Sequence, residues 1–170
     1  MKKPVLTIFL LCIFIVSYSQ NGISFLQKDK NKINVRYTSN FEGLEVKNSK
    51  TGKTQIVKNI EASITGRESH LEINDYNFDG YTDFASYHTD DGMGVYSIYQ
   101  VFIFNPKTQQ FDLLEFPTHF NPKCDIFCDV KIDKTKKTLS SSCRGSAKTH
   151  NDIWKYDRNK KLILSKTESY

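Results

Sequence analysis

The stretch that decides how this chain folds reads Asp75-Tyr-Asn77-Phe-Asp79-Gly80-Tyr81-Thr-Asp83. Side chains with oxygen donors occupy its first, third, fifth and ninth positions, and glycine occupies the sixth position. A calcium-binding loop uses this spacing because alternate side chains converge on one ion and the sixth residue turns the chain sharply. The seventh residue can offer its backbone carbonyl oxygen. The stretch therefore predicts a Ca²⁺ site with five ligand residues, namely Asp75, Asn77, Asp79, Tyr81 and Asp83.

The residues on either side of this loop indicate strands rather than helices. An EF-hand loop ends with a bidentate Glu at its twelfth position, but this chain has Ser86 there. Residues 70–74 and 84–88 alternate or mix as short strands do and lack helical periodicity. We therefore expect a strand–calcium loop–strand element, with Asp90 or Asp91 as a late ligand if the chain folds back.

The local charge favours a bound cation, although one alternative stays open. No Lys or Arg occurs between Arg67 and Lys107, whereas seven acidic residues do. Three aspartates around one point repel each other unless a cation neutralises them. Asp, Asn and Gly are also ordinary turn residues, so the alternative is a solvated turn that binds no metal.

The amino terminus predicts export of the protein. Two lysines precede an apolar run over residues 5–16, and small residues follow at 17 and 19. This pattern is typical of a cleaved secretory signal peptide, and the run is too short for an ordinary membrane span. We expect a signal peptide over residues 1–20, one domain over residues 21–170, no membrane span, and a periplasmic or secreted location.

The rest of the chain predicts an antiparallel all-β fold. Short apolar strands recur at even spacing between polar turns, and no long helical pattern occurs. Strand 95–104 carries aromatic residues on both faces, which predicts that it is buried between layers or covered by a partner. The single tryptophan, Trp154, is expected in the core, with anchoring of a partner as the alternative. The expected hairpins pair residues 44–47 with 54–57, 95–104 with 111–114, 130–132 with 139–141, and 153–156 with 162–164.

Three cysteines remain after removal of the signal peptide, and secretion makes a disulfide plausible. If Asp133 faces Thr138 across the intervening turn, counting back along both strands places Cys128 opposite Cys143. We therefore predict a Cys128–Cys143 disulfide. A Cys124–Cys143 bond and three reduced thiols are the alternatives.

Composition and motifs argue against two function classes. The formal net charge is +5, but the lysine clusters surround predicted turns and are not interleaved with aromatic residues as nucleic-acid binding requires. We expect these turns to be solvated, or to face an anionic partner. None of the four histidines stands in a recognisable catalytic motif, and Ser140–Ser142 is expected to be a strand segment. We therefore predict that the protein is not an enzyme.

The loop 75–83, the strand after it and residues 101–111 together resemble the calcium-loop hairpins of FG-GAP-type β-propeller repeats. The chain is most similar to a family of secreted, propeller-like, calcium-binding bacterial proteins that includes a periplasmic lysozyme inhibitor. That inhibitor protects its owner from a peptidoglycan-cleaving effector of a type IV secretion system. The resemblance implies calcium at the five loop residues, an immunity function and a cell-wall hydrolase as partner. It extends over residues 71–114 and more weakly over 130–164.

Two arrangements and two functions follow as expectations. At roughly 40 residues per blade the mature chain has room for three to four blades, so the hairpins form either an incomplete propeller or a sandwich. The first function is a protein-binding inhibitor of a peptidoglycan hydrolase. The second is a calcium-stabilised envelope or surface module that binds glycan or a structural partner without inhibiting anything.

Overall fold

The computed structural model describes residues 22–39, 42–145 and 147–170, which form three open four-stranded antiparallel sheets. The first sheet contains β1 (Gly22–Leu26), β2 (Lys32–Tyr37), β3 (Gly43–Asn48) and β4 (Thr54–Lys58). The second contains β5 (Ser69–Asn74), β6 (Asp83–Thr89), β7 (Ser97–Asn105) and β8 (Gln110–Leu113). The third contains β9 (Lys131–Asp133), β10 (Thr138–Gly145), β11 (Lys148–Tyr156) and β12 (Leu162–Ser169). Each sheet pairs its strands in chain order, so the all-β prediction is confirmed.

The hairpin turns form at the predicted positions because an Asn or Asp side chain begins them. In the turn after β7, Asn105 Oδ1 accepts the Lys107 N–H at 3.1 Å. In the turn after β11, Asp157 Oδ1 accepts the Asn159 N–H at 2.8 Å. A side chain that bonds the backbone two residues further on favours a turn over a continued strand. The four predicted hairpins are therefore confirmed.

The second sheet lies between the other two, because its two faces belong to two different hydrophobic clusters. Phe84 and Phe102 point toward the first sheet and stack with ring centroids 4.9 Å apart. Their strand neighbours Ala85 and Val101 point the opposite way, into a cluster with residues of the third sheet. Alternate side chains of a strand face opposite sides, so both faces of β6 and β7 are buried. Of the two alternatives for strand 95–104, burial between layers is the one observed, and it is most complete over residues 101–104.

Trp154 is a core residue, as predicted, and forms the centre of the second cluster. It is fully buried, and the rings of Phe116 and Phe127 contact it edge to face at centroid distances of 5.4 and 6.4 Å. Edge-to-face contacts of this kind stabilise aromatic pairs beyond the area they bury.

The predicted Cys128–Cys143 disulfide is wrong: Cys124 bonds Cys143, with a Cα–Cα distance of 5.6 Å, and Cys128 is a buried free thiol. The predicted facing of Asp133 and Thr138 is correct. The β9–β10 ladder ends before it reaches Cys128, however, because Asp129 adopts a left-handed φ of 43°.

Beyond that point the chain no longer keeps the register of the ladder. The carbonyl oxygen of Cys128 accepts the N–H of Ser142 at 2.8 Å, one residue short of the predicted partner. Counting along a strand identifies facing residues only while the backbone stays extended. The left-handed Asp129 therefore explains why Cys143 bonds Cys124 instead of Cys128.

Two expectations concern the amino-terminal segment. The predicted signal peptide over residues 1–20 lies outside the described residues. Within the described part of the chain, no helix has the length and apolar character that crossing a membrane requires.

Candidate metal-binding loop and adjacent cleft

The loop between β5 and β6 brings its polar side chains together around its own backbone. Asp75 Oδ1 and Asn77 Oδ1 both accept the Asp79 N–H, each at 3.1 Å. Asp75 Oδ2 accepts the Gly80 N–H at 2.9 Å, and Asp79 Oδ1 accepts the Tyr81 N–H at 2.9 Å. Two side chains that share one donor must point toward the same place. The loop therefore gathers the oxygens of the first, third and fifth positions.

The sharp turn occurs where the spacing predicts it. Gly80 has a left-handed φ of 84°, which a residue without Cβ adopts at no steric cost. Phe78 also has a positive φ, of 61°, and its ring is held against Tyr156 of β11, with centroids 6.4 Å apart.

Asp83 closes the loop as a fully buried carboxylate. Its Oδ2 accepts the Tyr76 N–H and its Oδ1 accepts the Phe104 N–H, each at 2.8 Å. Burial raises the pKa of Asp83, the two backbone donors lower it, and the charges of Asp79 and Asp75 raise it again, so that the pKa is about 7 in the fold. Asp83 thus ties the loop to strand β7 of the same sheet.

The oxygen donors of the loop fit a calcium ion. Three carboxylates, one amide oxygen and the Tyr81 carbonyl form a hard-oxygen set of the composition that calcium prefers. Among the described residues, none of the ion pairs between basic and acidic side chains involves Asp75, Asp79 or Asp83. Among the described residues, no group of three or more His, Cys, Asp and Glu side chains is arranged as a metal site. A calcium ion at this loop would use the oxygens of Asn77 and of the Tyr81 backbone as well as carboxylates.

A buried hydroxyl on the third sheet faces this loop without a partner. The Tyr156 hydroxyl oxygen is inaccessible to solvent and forms no hydrogen bond. Burial raises the pKa of Tyr156, and the charges of Asp83, Asp75 and Asp79 raise it further. A buried hydroxyl without a partner is unfavourable, so its position beside an acidic loop calls for explanation.

The loop also contacts the first sheet. Gln27, which follows β1 and is 3% exposed, donates from Nε2 to the Thr82 carbonyl at 2.7 Å. Its Oε1 accepts the Thr82 N–H at 2.8 Å. The loop therefore lies where all three sheets meet, with Gln27 on one side and Tyr156 on the other.

The expected late ligands do not reach the loop. Asp90 and Asp91 follow the far end of β6, about 20 Å from Asp83 at the usual rise of a strand. Asp90 accepts the Val95 N–H at 2.7 Å, and Asp91 accepts the Ile64 N–H at 2.9 Å. The expectation that one of them completes the metal site is wrong, because both carboxylates organise loops at the opposite end of the sheet.

Ser86, at the twelfth position, does not reach the loop either. It is buried in the interface with the first sheet, where its hydroxyl lies 2.9 Å from the Tyr37 hydroxyl. The loop thus lacks the bidentate side chain that closes an EF-hand.

A cleft of about 840 Å³ lies beside the loop, between the second and third sheets. The loop 75–83 forms one wall and the lysine-rich β11–β12 turn forms the other, with an apolar floor between them. Its lining includes Asn77, Phe78, Asp79, Asp112, Glu115, Phe116, Tyr156, Lys160, Lys161 and Leu162. This volume is within the range of small-molecule and cofactor sites.

Two of the residues considered as catalytic candidates, His88 and Ser141, have contacts within the fold. His88 is buried, with Nδ1 2.8 Å from the Thr89 carbonyl oxygen and no partner for Nε2. Ser141 is buried, donates to the Ile126 and Cys128 carbonyls, and accepts the Cys128 N–H. These contacts are structural.

Sequence reasoning missed Tyr156 and the cleft. A signal for Tyr156 was available, because it lies two residues after Trp154 on one strand and must share its buried face. The cleft depends on how the sheets stack, which no local pattern encodes.

No protein-family model matches this chain, and neither a curated protein nor a solved structure matches it.

Proposed function

We propose that this protein is a secreted calcium-binding β protein that binds and inhibits a peptidoglycan hydrolase. The observation that carries the proposal is the loop 75–83, whose convergent oxygens lie at the junction of the three sheets. Calcium would be held by Asp75, Asn77, Asp79, Asp83 and the Tyr81 carbonyl. Its contribution would be to fix the shape of the scaffold, with no chemical step assigned to it.

The three sheets are interpreted as three blades of an open, propeller-like stack. Each sheet is a four-stranded meander, and the second sheet packs against both others through its two faces. The expected range was three to four blades. A stack of this kind leaves loops clustered at both ends of the sheets, where a protein partner can be bound.

A loop suited to steric inhibition lies at the end of the second sheet opposite the metal site. Ile64 is 90% exposed, yet its loop is held by the Asp91 carboxylate, which accepts the N–H of Ile64 at 2.9 Å and the Thr65 hydroxyl at 2.6 Å. An apolar side chain on a pre-ordered loop loses little entropy when a partner binds it. We assign this loop to the contact with the hydrolase.

The test is a pull-down with the mature protein from envelope and secreted fractions, in calcium and in chelator. We expect more of a peptidoglycan hydrolase to be recovered with calcium than in chelator, because calcium fixes the scaffold that carries this loop, and we expect the protein to block lysis of a cell-wall suspension by that hydrolase. Ile64→Asp should weaken this inhibition, whereas Leu26→Asp, at a 63% exposed position of the first sheet, should not. Recovery of polysaccharide, or of no hydrolase, contradicts the proposal.

The cleft favours a second function, binding of a glycan without inhibition. It combines aromatic residues with carboxylates and two lysines, Lys160 and Lys161, and such a mixture suits a sugar with many hydroxyl groups. Titration with soluble peptidoglycan fragments distinguishes the two functions. Saturable binding that Lys160→Gln/Lys161→Gln reduces, and Lys136→Gln/Lys137→Gln in the β9–β10 turn does not, would favour the glycan-binding module.

A further inference from the structure

We infer that the Tyr156 hydroxyl is an outer partner of the metal loop and couples metal binding on the second sheet to the third sheet. This inference rests on the proposed calcium site. Tyr156 belongs to β11 and is not part of the loop pattern, so nothing in the spacing of residues 75–83 implies it.

The first reason is the unsatisfied hydroxyl itself. Its oxygen is buried without a hydrogen-bond partner, although a buried hydroxyl normally has one. The ring is held in place by its edge-to-face contact with Phe78, a loop residue, at 6.4 Å. The side chain is therefore held beside the loop while its polar end lacks a partner.

The second reason is what surrounds the hydroxyl. The three carboxylates of the loop are close enough for their charges to raise the pKa of this hydroxyl. Tyr156 also lines the same cleft as Asn77 and Asp79. The lysines at the rim of that cleft, Lys160 and Lys161, are exposed. A hydroxyl in this position can donate to a carboxylate that binds metal or accept from a metal-bound water.

The third reason is the incomplete ligand set. Ser86 replaces the bidentate Glu and is buried elsewhere, and Asp90 and Asp91 are engaged at the other end of β6. A loop short of ligands keeps bound water, and outer partners then orient its remaining ligands. Tyr156 is thus a positioning residue and not itself a ligand.

The test compares Tyr156→Phe with wild type in a calorimetric calcium titration. We expect the affinity to fall about tenfold, the lower end of the loss for outer partners of metal sites. In chelator the melting temperature should stay within about 2 °C of wild type, because the hydroxyl has no partner to lose. The matched control is Tyr87→Phe on β6, since the charge that acts on Tyr87 is that of Glu72 and not of the loop.

Trp154 supplies a second measurement, because it is the only tryptophan and lies on β11 two residues before Tyr156. Calcium should change the fluorescence of Trp154 in wild type and in Tyr87→Phe, at the same calcium concentration as the midpoint of the calorimetric titration. The change should be much smaller in Tyr156→Phe. Equal calcium affinities of Tyr156→Phe and wild type would overturn the inference but leave the calcium site intact. Equal losses in both Tyr→Phe variants would also overturn it, and no calcium binding by wild type would remove the proposed function as well.

Discussion

Replacing Asp79 by Ala should remove most of the stabilisation that calcium confers and leave the metal-free protein nearly unchanged. A ligand that binds only the folded state at one hundred times its dissociation constant stabilises it by about 2.7 kcal/mol. For a domain of this size, each kcal/mol corresponds to a shift in melting temperature of about 2–4 °C. With calcium at that excess, wild type should therefore melt about 5–11 °C higher than in chelator, and Asp79→Ala should show little of this difference.

The contacts of Asp79 explain why the substitution should cost little without metal. Its side chain accepts the Tyr81 N–H at 2.9 Å and the Asn77 amide at 3.1 Å, both in partly exposed positions. Each such bond contributes about 1 kcal/mol net. Removal of one carboxylate also relieves repulsion with Asp75 and Asp83, which offsets part of that loss.

Scanning calorimetry of wild type and variants, each in calcium and in chelator, checks this prediction. The matched control is Asp112→Ala, which removes a carboxylate from the wall of the same cleft outside the loop. Asp112→Ala should show the same rise in melting temperature from chelator to calcium as wild type. Equal melting temperatures of wild type in calcium and chelator would refute the reasoning, as would an equal loss of the increment in Asp112→Ala.

Three further results are expected. The double variant Cys124→Ser/Cys143→Ser should have a free energy of unfolding about 3 kcal/mol lower than wild type, because the unfolded chain regains loop-closure entropy, and its denaturant midpoint should fall accordingly. Mass mapping of the oxidised wild type should find these two cysteines joined, and any other linkage would show the described pairing to be wrong. Asp152→Ala should destabilise the protein by about 2–4 kcal/mol, because this fully buried carboxylate accepts two backbone N–H groups and a hydroxyl, whereas Asp152→Asn keeps an acceptor and should cost less in the same denaturant titration. Hydrogen bonds to Asp91 hold its pKa below the ordinary value of 3.8, so the ionised carboxylate stabilises the Ile64 loop above pH 3.8 and this stabilisation is lost as the pH falls further. Protection of the Ile64 amide from hydrogen exchange should therefore decline only in acid. A protection factor that stays constant would contradict the role of Asp91.

The hairpins could be predicted from sequence because their causes are local. Asn105 and Asp157 start turns by bonding the backbone two residues on, and the flanking strands alternate in the usual way. The curled loop was predictable for the same reason, because the Asp75 side chain bonds the Gly80 N–H only five residues further along the chain. These features need no knowledge of the rest of the fold.

The errors arose where a local pattern was extended over distance. The wrong disulfide partner came from carrying a ladder through Asp129, whose left-handed backbone ends it. Asp90 and Asp91 were candidate late ligands on the condition that the chain folds back, but a seven-residue strand carries them to the opposite end of the sheet. The contribution of Tyr156 depends on which sheets stack together, and stacking is determined by the whole set of buried faces.

The way the sheets are joined explains why an ion at this loop would affect the entire molecule. Each sheet is a separate ladder. Residues 127–129 pair with β7 through two backbone hydrogen bonds and connect it to the third sheet, and the other contacts described between sheets involve side chains. The first sheet reaches the loop through Gln27, whose amide bonds both backbone groups of Thr82. The loop is anchored within its own sheet by Asp83, and the third sheet contacts it through Tyr156 and Phe78.

Carboxylates gathered at such a junction repel one another more strongly as the surroundings become less polar. A cation bound there would neutralise that repulsion at a place where all three sheets are in reach. The stabilisation by calcium should therefore appear as one cooperative transition of the whole fold rather than as local ordering of the loop. We expect the calorimetric and van't Hoff enthalpies of unfolding to agree in calcium and to differ in chelator, where the third sheet separates first. Agreement in both conditions would mean that the loop is not the element that joins the sheets.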